Sequence, residues 1–252
     1  MGDFYQNGII TTLHNLGHRP VSEMHQDLIR FSRRRPMGLI LPALFSELEG
    51  KALPLIINEL KGVPYLNQIV IGLDKANEDQ YVHALQFFSE LPQHLRVLWN
   101  DGPRLKAIDK QLEKLDLAPK EYGRGRNVWY CMGYVLATGR AESVALHDCD
   151  ITTYNKELLA RLIYPVANPQ FNYEFCKGFY ARVANGKING RVSRLLVSPL
   201  IQALKANLGQ MDYLDYMDSF RYPLAGEFSF RRDVVNDIRI PSDWSLEVGV
   251  LS

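Results

Sequence analysis

Short apolar runs alternate with longer amphipathic stretches between Met37 and Leu146. The runs are rich in Val, Ile and Leu, which is typical of strands buried on both faces of a parallel sheet. Strands are predicted over 37–44, 67–73, 95–99 and 143–147. Pro42 is expected to end the first strand, because proline cannot donate a hydrogen bond to a central ladder.

The stretches between these strands have helical periodicity. Over 78–91, Tyr81, Leu85, Phe88 and Leu91 share one face. Further helices are predicted from Ser46 through 53–60, over 108–117 and over 127–138, with a flexible loop at 123–126 and a helix stop at Gly139. Alternation at this spacing predicts right-handed crossovers. The expected fold class is α/β, a Rossmann-like, mostly parallel sheet with helices on both faces.

The pattern changes after Tyr154. Helices are predicted over 156–162 and 192–207, and strand-like segments over 171–183 and 223–230, which indicates a mixed second half. We expect an arm over 1–36, with one short amphipathic helix near Leu28, and then a single domain over 37–252. Its two halves are 37–154 and 155–252.

Asp148 and Asp150 follow the fourth predicted strand. Ligands bind at the carboxyl ends of parallel strands. On one extended strand both carboxylates would point the same way, and His147 and Cys149 the other way. Adjacent carboxylates repel unless they are compensated, and Mg²⁺ or Mn²⁺, which prefers oxygen ligands, is a fitting compensator. The alternative is a solvated turn, where Asp is common.

Other site classes are disfavoured by missing motifs. Neither Gly-x-Gly-x-x-Gly nor Gly-x4-Gly-Lys-Ser/Thr occurs, which argues against a dinucleotide-binding domain and a P-loop kinase. Asp74, at the end of the second predicted strand, is a candidate contact to a nucleotide or an ordinary turn residue.

Composition and charge disfavour further classes of protein. A net charge of +1 over 252 residues gives no general case for nucleic-acid binding. Cys131, Cys149 and Cys176 have no paired spacing, which is typical of reduced cysteines. The sequence has no apolar run long enough to span a membrane and no signal-peptide pattern, so we expect a cytoplasmic protein.

Several short motifs occur in an order that resembles one family. They are Leu41-Pro42-Ala43-Leu44, Gly123-Arg124-Gly125 with Trp129, the pair Asp148 and Asp150, Lys177-Gly178-Phe179-Tyr180, Gly190-Arg191-Val192-Ser193, Pro223-Leu224-Ala225-Gly226-Glu227 and Leu246-Glu247-Val248-Gly249. Together they resemble the glucosyl-3-phosphoglycerate synthases, retaining glycosyltransferases of the GT-A fold. The resemblance covers about residues 38 to 252.

The resemblance implies transfer of glucose from a nucleoside diphosphate glucose to 3-phosphoglycerate, with Mg²⁺ or Mn²⁺ as cofactor. It assigns nucleotide-sugar binding to the half 37–154 and acceptor binding to the half 155–252, and implies a homodimer that binds neither nucleic acid nor membrane. The donor base, UDP, GDP or ADP, stays open.

The resemblance also assigns residues to roles. Asp150 and Asp148 are the expected metal ligands, with Asp148 alternatively facing the donor ribose. Expected nucleotide-sugar contacts are Pro42, Ala43, Leu44, Ser46, Glu47, Asp74, Arg124 and Asp148. Ser46 and Glu47 read equally well as a helix N-cap and a first-turn acid. Expected acceptor contacts are Lys177, Gly190, Arg191 and Ser193. Glu227 and Glu247 are the candidate catalytic residues, for the sugar hydroxyls and the acceptor, and no covalent nucleophile is assigned.

Two departures and three alternatives accompany this hypothesis. Arg124 stands where the family has a lysine, and the family's histidine metal ligand would lie in a segment beyond Ser252. The alternatives are a mannosylglycerate-synthase-like transferase, a sugar nucleotidyltransferase, and an inactive nucleotide-sugar binder. A nucleotidyltransferase is disfavoured, because its glycine-rich loop would fall at 42–46, where the chain reads Pro-Ala-Leu-Phe-Ser.

Overall fold

The structure is a computed structural model that describes residues 10–13, 19–119, 121–180, 183–184, 187–188, 192–243 and 245–251. The chain forms two compact units. The larger comprises 19–176 and 226–250, and the smaller is built mainly from 177–225.

The elements follow in chain order: α1 Val21–Phe31, β1 Met37–Leu44, α2 Phe45–Leu48, α3 Ala52–Lys61, β2 Leu66–Asp74, α4 Glu78–Phe88, β3 Leu95–Trp99, α5 Pro103–Glu113, α6 Arg124–Thr138, β4 Ser143–Leu146, α7 Lys156–Ala167, β5 Phe175–Lys177, β6 Val183–Ala184, β7 Lys187–Ile188, a π-helical turn Ser193–Val197, α8 Ser198–Leu208, α9 Asp212–Asp218, β8 Phe228–Arg231, a 3-10 turn Arg232–Asn236 and α10 Leu246–Gly249.

A six-stranded sheet of order β3-β2-β1-β4-β8-β5 organises the larger unit. The pairs β1/β2, β1/β4 and β2/β3 are parallel, and β8 joins β4 antiparallel. The predicted α/β class with a mostly parallel sheet is confirmed. Because β1 lies at the point where the strand order reverses, the carboxyl ends of β1 and β4 flank the crevice in which such sheets bind ligands.

Helices cover both faces of this sheet. Leu39 and Ile69 belong to the main apolar core, which α1, α3, α4 and α7 also line. The alternating residues Ile40 and Val70 are equally buried but lie outside that core. They face the opposite side because side chains alternate along a strand. Helix α6 packs against β1 and β2.

The prediction that Pro42 ends the first strand is wrong. β1 continues to Leu44, and Pro42 pairs in register with Gly72 of β2. The carbonyl of Ile40 accepts a hydrogen bond from the His147 N–H at 3.2 Å, so the backbone polar groups of Ile40 point toward β4. Those of Pro42, two residues further on, point the same way, but β4 ends at Leu146. Proline is tolerated because no ladder partner remains for the missing N–H.

Two helices begin earlier than predicted. Helix α5 begins at Pro103, since proline fits the first turn, where an N–H has no intrahelical partner. Helix α6 begins at Arg124, so the predicted flexible loop at 123–126 is wrong. The N–H groups of Gly125 and Arg126 donate to the carbonyls of Asp243 and Ser242, at 3.1 and 3.0 Å. These distant carbonyls satisfy the helix start.

The later predictions hold in part. Helix α7 runs to Ala167 with Pro165 inside it, and Gly139 ends α6 at a φ of 61°, as expected of a helix stop. In the described part of the predicted strand segment 171–183, the strands are β5 and the start of β6. In the predicted segment 223–230, the strand is β8, which begins at Phe228.

The smaller unit contains a short antiparallel hairpin, β6 and β7, and the helices α8 and α9. Lys205 of α8 pairs with Asp215 at 2.6 Å and with Asp218 at 3.3 Å on α9, which ties the two helices together. Leu200 and Leu204, on α8, are exposed.

Helices in the described part of the chain are all too short or too polar to cross a bilayer. Cys131, Cys149 and Cys176 are free, and the first two are buried.

Candidate active site

The candidate site lies where β1 and β4 end. Asp148 follows β4, Glu47 lies in α2 directly after β1, and Glu227 precedes β8, the antiparallel neighbour of β4. The charges of Glu227 and Asp150 raise the pKa of Asp148, and those of Asp150 and Asp148 raise the pKa of Glu47. Sheet topology therefore gathers carboxylates that are far apart in the sequence.

Asp148 and Asp150 follow the fourth strand, as predicted, so the side-chain parity of one extended strand does not apply to them. β4 ends at Leu146, and both residues fall in the turn that follows. Asp150 is exposed, whereas Asp148 is partly buried. Burial, together with the charges of Glu227 and Asp150 and against the opposing charge of Arg124, raises the pKa of Asp148 to about 6. A carboxylate that is costly to ionise without help is what a cation site requires.

His147 and Cys149 are buried, as predicted. The ring of His147 packs against Tyr154 with centroids 5.5 Å apart. Burial lowers the pKa of His147 to about 3, so the imidazole is neutral near neutrality.

Glu227 is 3% exposed, which fits the expectation that a glutamate in an apolar setting has a specific role. The residue before it, Gly226, was not singled out on its own from the sequence. A side chain at Gly226 would collide with the Asp148 carboxylate and lie 3.1 Å from the Arg124 guanidinium. A larger residue at this position would therefore require the Asp148 carboxylate to move.

Arg124 is the cation at the centre of the site. Its Nη2 contacts Asp148 and donates to the carbonyl of Gly226 at 3.2 Å, and its Nη1 contacts Glu247 of α10. The sequence predicted a contact with the donor diphosphate and did not predict these ion pairs. They depend on bringing α6, α10 and the turn after β4 together.

The glycines on either side of Arg124 are required by packing. A side chain at Gly123 or Gly125 would collide with the backbone of 241–243. The same segment accepts the first helical N–H bonds of α6. The Gly-Arg-Gly motif therefore fixes the position of Arg124, in place of the predicted flexible loop.

The residues after β1 form one wall of the site. Pro42 and Ala43 are buried, and Leu44 and Ser46 are exposed. The carboxylate of Glu47 accepts a hydrogen bond from the Leu44 N–H at 2.9 Å, so the interpretation as a first-turn acid is confirmed. Leu44 is the N-cap of α2, so the interpretation of Ser46 as the N-cap is wrong. Burial raises the pKa of Glu47.

Asp74 belongs to a buried amide network. Its carboxylate accepts hydrogen bonds from Asn100 Nδ2 at 2.7 Å and from Asn127 Nδ2 at 2.9 Å. Burial raises its pKa, and these two amides lower it. The observed contacts therefore tie the ends of β2 and β3 to α6.

Two of the predicted acceptor residues, Lys177 and Ser193, are described and belong to the smaller unit. Lys177 ends β5 and is partly buried. Ser193 begins the π-helical turn and is buried. Gly190 and Arg191 lie outside the described residues.

The described residues contain no group of three or more His, Cys, Asp or Glu side chains placed to hold a metal ion. A site formed by Asp148 and Asp150 nevertheless fits Mg²⁺, which is typically held by one or two carboxylates and by substrate phosphates. The excess of carboxylates around Arg124 supports the same conclusion.

Comparison with known proteins agrees with the fold. Solved structures of the glucosyl-3-phosphoglycerate synthase of Mycobacterium tuberculosis have the same fold. One, in complex with Mn²⁺, uridine diphosphate and glucosyl-3-phosphoglycerate, gives a TM-score of 0.63 at 18% identity over 95% of this chain and 70% of that chain. Another, with Mg²⁺ and uridine diphosphate, also gives 0.63, at 19% identity over 96% and 70%. The chain therefore has the GT-A fold of nucleotide-sugar glycosyltransferases.

Sequence relatives narrow the assignment. The chain is 48% identical over its full 252 residues to a glucosyl-3-phosphoglycerate synthase of Persephonella marina, of which it covers 62%. It is 40% identical over 99% of its length to one of Methanococcoides burtonii, of which it covers 61%. No family model matches the chain. Over at least 99% of its length the chain is therefore similar to glucosyl-3-phosphoglycerate synthases, and it spans about three fifths of the length of these relatives.

Proposed function

We propose that the chain carries the donor site of a retaining, metal-dependent glucosyltransferase that moves glucose from a nucleoside diphosphate glucose to 3-phosphoglycerate. The observation that carries this proposal is the acidic site at the carboxyl ends of β1 and β4. The chain that holds this site is 48% identical over its full length to a protein named glucosyl-3-phosphoglycerate synthase. The related M. tuberculosis enzyme has been captured with UDP-glucose, phosphoglyceric acid and Mn²⁺.

In this proposal Asp148 and Asp150 hold the divalent cation, and the remaining ligands are diphosphate oxygens and water. The bound cation would act as a Lewis acid that stabilises the negative charge on the leaving nucleoside diphosphate. The raised pKa of Asp148 supports its role, because a cation offsets the cost of ionising a partly buried carboxylate.

The chain's own side chains would position the donor. Pro42, Ala43 and Leu44 form the wall beside the nucleobase, and Ser46 and Asp74 are the candidate polar contacts. Glu227 would accept hydrogen bonds from the sugar hydroxyls, which its burial beside Asp148 supports.

Arg124 would bind the diphosphate, and Glu247 would orient the acceptor. Lys177, Gly190, Arg191 and Ser193 would bind the acceptor phosphate. The support for these four is chemical, namely positive charge, backbone N–H groups and a hydroxyl that suit phosphate.

The second candidate function is a nucleotide-sugar binder without turnover, because the chain spans 62% of the length of the Persephonella marina relative. We also propose a cytoplasmic location, which the free cysteines support, since disulfides are rare in reducing compartments. The homodimer stays a prediction.

A direct test supplies Mn²⁺ or Mg²⁺, 3-phosphoglycerate and one of UDP-, GDP- or ADP-glucose, and follows the product by NMR. We expect an α-linked glucosyl product with at least one donor. Asp150→Ala should abolish it, whereas Asp79→Ala, an exposed aspartate of α4, should not. Nucleotide binding without product would favour the binder, and neither binding nor product would contradict both.

A further inference from the structure

We propose that Arg124 makes divalent-cation binding dependent on the nucleoside diphosphate. Without ligand, its guanidinium pairs with both Asp148 and Glu247, and the cation gains full access to Asp148 only when a diphosphate takes over the guanidinium. This inference rests on the proposed function, because it assumes that the acidic site binds a cation and a nucleotide.

The first support is the position of the guanidinium. Arg124 is the first residue of α6, and its side chain is only 13% exposed although it is long and charged. One end of the planar group contacts Asp148 and the other contacts Glu247. The carbonyl of Gly226, 3.2 Å away, accepts a further hydrogen bond. The Arg124 guanidinium thus supplies to Asp148 the positive charge that a bound cation would otherwise supply.

The second support is that the backbone at Arg124 is fixed. The N–H groups of Gly125 and Arg126 are held by the carbonyls of Asp243 and Ser242. A side chain at Gly123 or Gly125 would not fit against that segment. Arg124 can therefore change partners by rotating its side chain, while the helix start stays in place.

The third support is electrostatic. A divalent cation between Asp148 and Asp150 would add two positive charges close to a guanidinium that already pairs with Asp148. Like charges at a few ångströms repel, more strongly in a partly buried site than in water. A nucleoside diphosphate resolves this conflict, because its oxygens coordinate the cation and also accept the forked hydrogen bonds of arginine.

Arginine suits this role better than lysine does. Its rigid fork contacts two carboxylates at once, whereas a lysine ammonium is a single point charge. We therefore expect Arg124→Lys to retain part of the pairing and to lose the bridge between Asp148 and Glu247.

The test measures Mn²⁺ binding without catalysis, from the electron paramagnetic resonance signal of free Mn²⁺. The full chain is titrated with Mn²⁺ alone and with Mn²⁺ plus saturating UDP, GDP or ADP. For Arg124→Gln we expect Mn²⁺ alone to bind about tenfold more tightly, and Mn²⁺ with the nucleotide about tenfold more weakly, than in the unmodified chain. Arg124→Lys should fall between the two.

Arg104→Gln is the matched control, since Arg104 is exposed on α5 and the substitution removes the same charge. It should change neither affinity. Circular dichroism checks that each variant is folded. If Arg124→Gln is not folded, Arg124→Lys takes its place in the titrations. An increase in affinity for Mn²⁺ alone in that variant then supports the proposal.

Unchanged or weaker binding of Mn²⁺ alone in the folded Arg124 variant would overturn the inference. So would an unmodified chain that binds Mn²⁺ equally well with and without nucleotide. The proposed function is tested separately by product formation, so a chain that couples Mn²⁺ to nucleotide but forms no product would lose the function and keep this inference.

Discussion

Helix α6 places two arginines at the carboxyl edge of the sheet, in contrasting surroundings. Arg126 is 3% exposed, pairs with Asp109 at 2.6 Å, and lies over the rings of Tyr122 and Tyr130 at 4.5 and 5.0 Å. Its one carboxylate partner also accepts from the Tyr130 hydroxyl. This region is balanced in charge and hydrogen bonding, which is what a buried structural network requires.

Arg124 faces a surplus of carboxylates instead. It contacts Asp148 and Glu247, and Asp148 is raised in pKa by burial and further by Glu227 and Asp150. A single guanidinium does not neutralise this group. The comparison teaches that a satisfied network stabilises the fold, whereas an acidic excess at the same edge indicates a site that awaits a cation.

The largest expected effect is on the hydrogen-bonded network around Arg126. Arg126→Ala should lower the free energy of unfolding by about 3–5 kcal/mol, because it leaves Asp109 buried without its ion-pair partner. Urea denaturation measures the change. Arg161→Ala removes a more exposed pair with Glu157 and should cost about 0.5 kcal/mol. Similar losses for the two variants would show that the Arg126 network is not structural.

The second largest effect is on the acidic site around Arg124. Asp150→Ala should remove the stabilisation of about 2.7 kcal/mol that Mn²⁺ and a matching nucleoside diphosphate give at 100 times the dissociation constant. Stability without ligand should hardly change, because Asp150 is exposed. Thermal unfolding with and without ligands measures both, with Asp79→Ala as the control. A full ligand-induced shift in Asp150→Ala would rule out this residue as a metal ligand.

The third effect tests the close approach at Gly226. Gly226→Ala should destabilise the chain by about 1–3 kcal/mol and weaken binding of Mn²⁺ with nucleotide, because its methyl group would displace the Asp148 carboxylate. Gly133→Ala is the matched control. It lies in α6 with open space around its Cα, so it should be neutral or stabilise by up to about 1 kcal/mol. Equal behaviour of the two variants would contradict the packing at Gly226.

The smallest effect is a pH dependence. Because the pKa of Asp148 is raised to about 6, its carboxylate takes up a proton as the pH falls through 6, before an unfolded aspartate would. This group therefore stabilises the ligand-free fold as the pH falls from about 6 toward 4. Over the same interval the affinity for Mn²⁺ with nucleotide should fall about tenfold per pH unit, or about 1.4 kcal/mol.

Calorimetry between pH 7.5 and 5 measures this affinity. Asp148→Asn should bind Mn²⁺ with nucleotide weakly at every pH. An affinity that stays flat below pH 6 in the unmodified chain would contradict the role of Asp148.

The pattern of apolar residues along the chain predicted the parallel strands of the sheet well. The bounds of β3 match the prediction, β1 follows the whole apolar run 37–44 although Pro42 does not end it, and β2 differs by a residue at each end. These agreements arise because buried strands are predicted from continuous apolar runs. The start of α6 was missed because its first N–H groups are satisfied by 241–243, far along the chain. Propensity at glycine and arginine gives no signal for such a partner.

Residue chemistry indicated Asp148, Glu227, Arg124 and Glu247, but not how they pair. Asp148 and Asp150 follow the fourth strand as predicted, but the parity of one extended strand does not relate their side chains, since β4 ends at Leu146. The importance of Gly226 was missed, because a glycine needed for close approach looks the same in the sequence as a glycine in a turn.

Short-range periodicity and ordered motifs were enough to predict the α/β class, the alternation of parallel strands with helices, and the resemblance to the glucosyl-3-phosphoglycerate synthases. Tertiary structure alone decided that Arg124 bridges Asp148 and Glu247, that Asp74 is held by two amides, and that the charges of Glu227 and Asp148 interact. The physical reason is that charge balance depends on distances between groups far apart in the chain, and those distances are set only when the sheet and its helices pack.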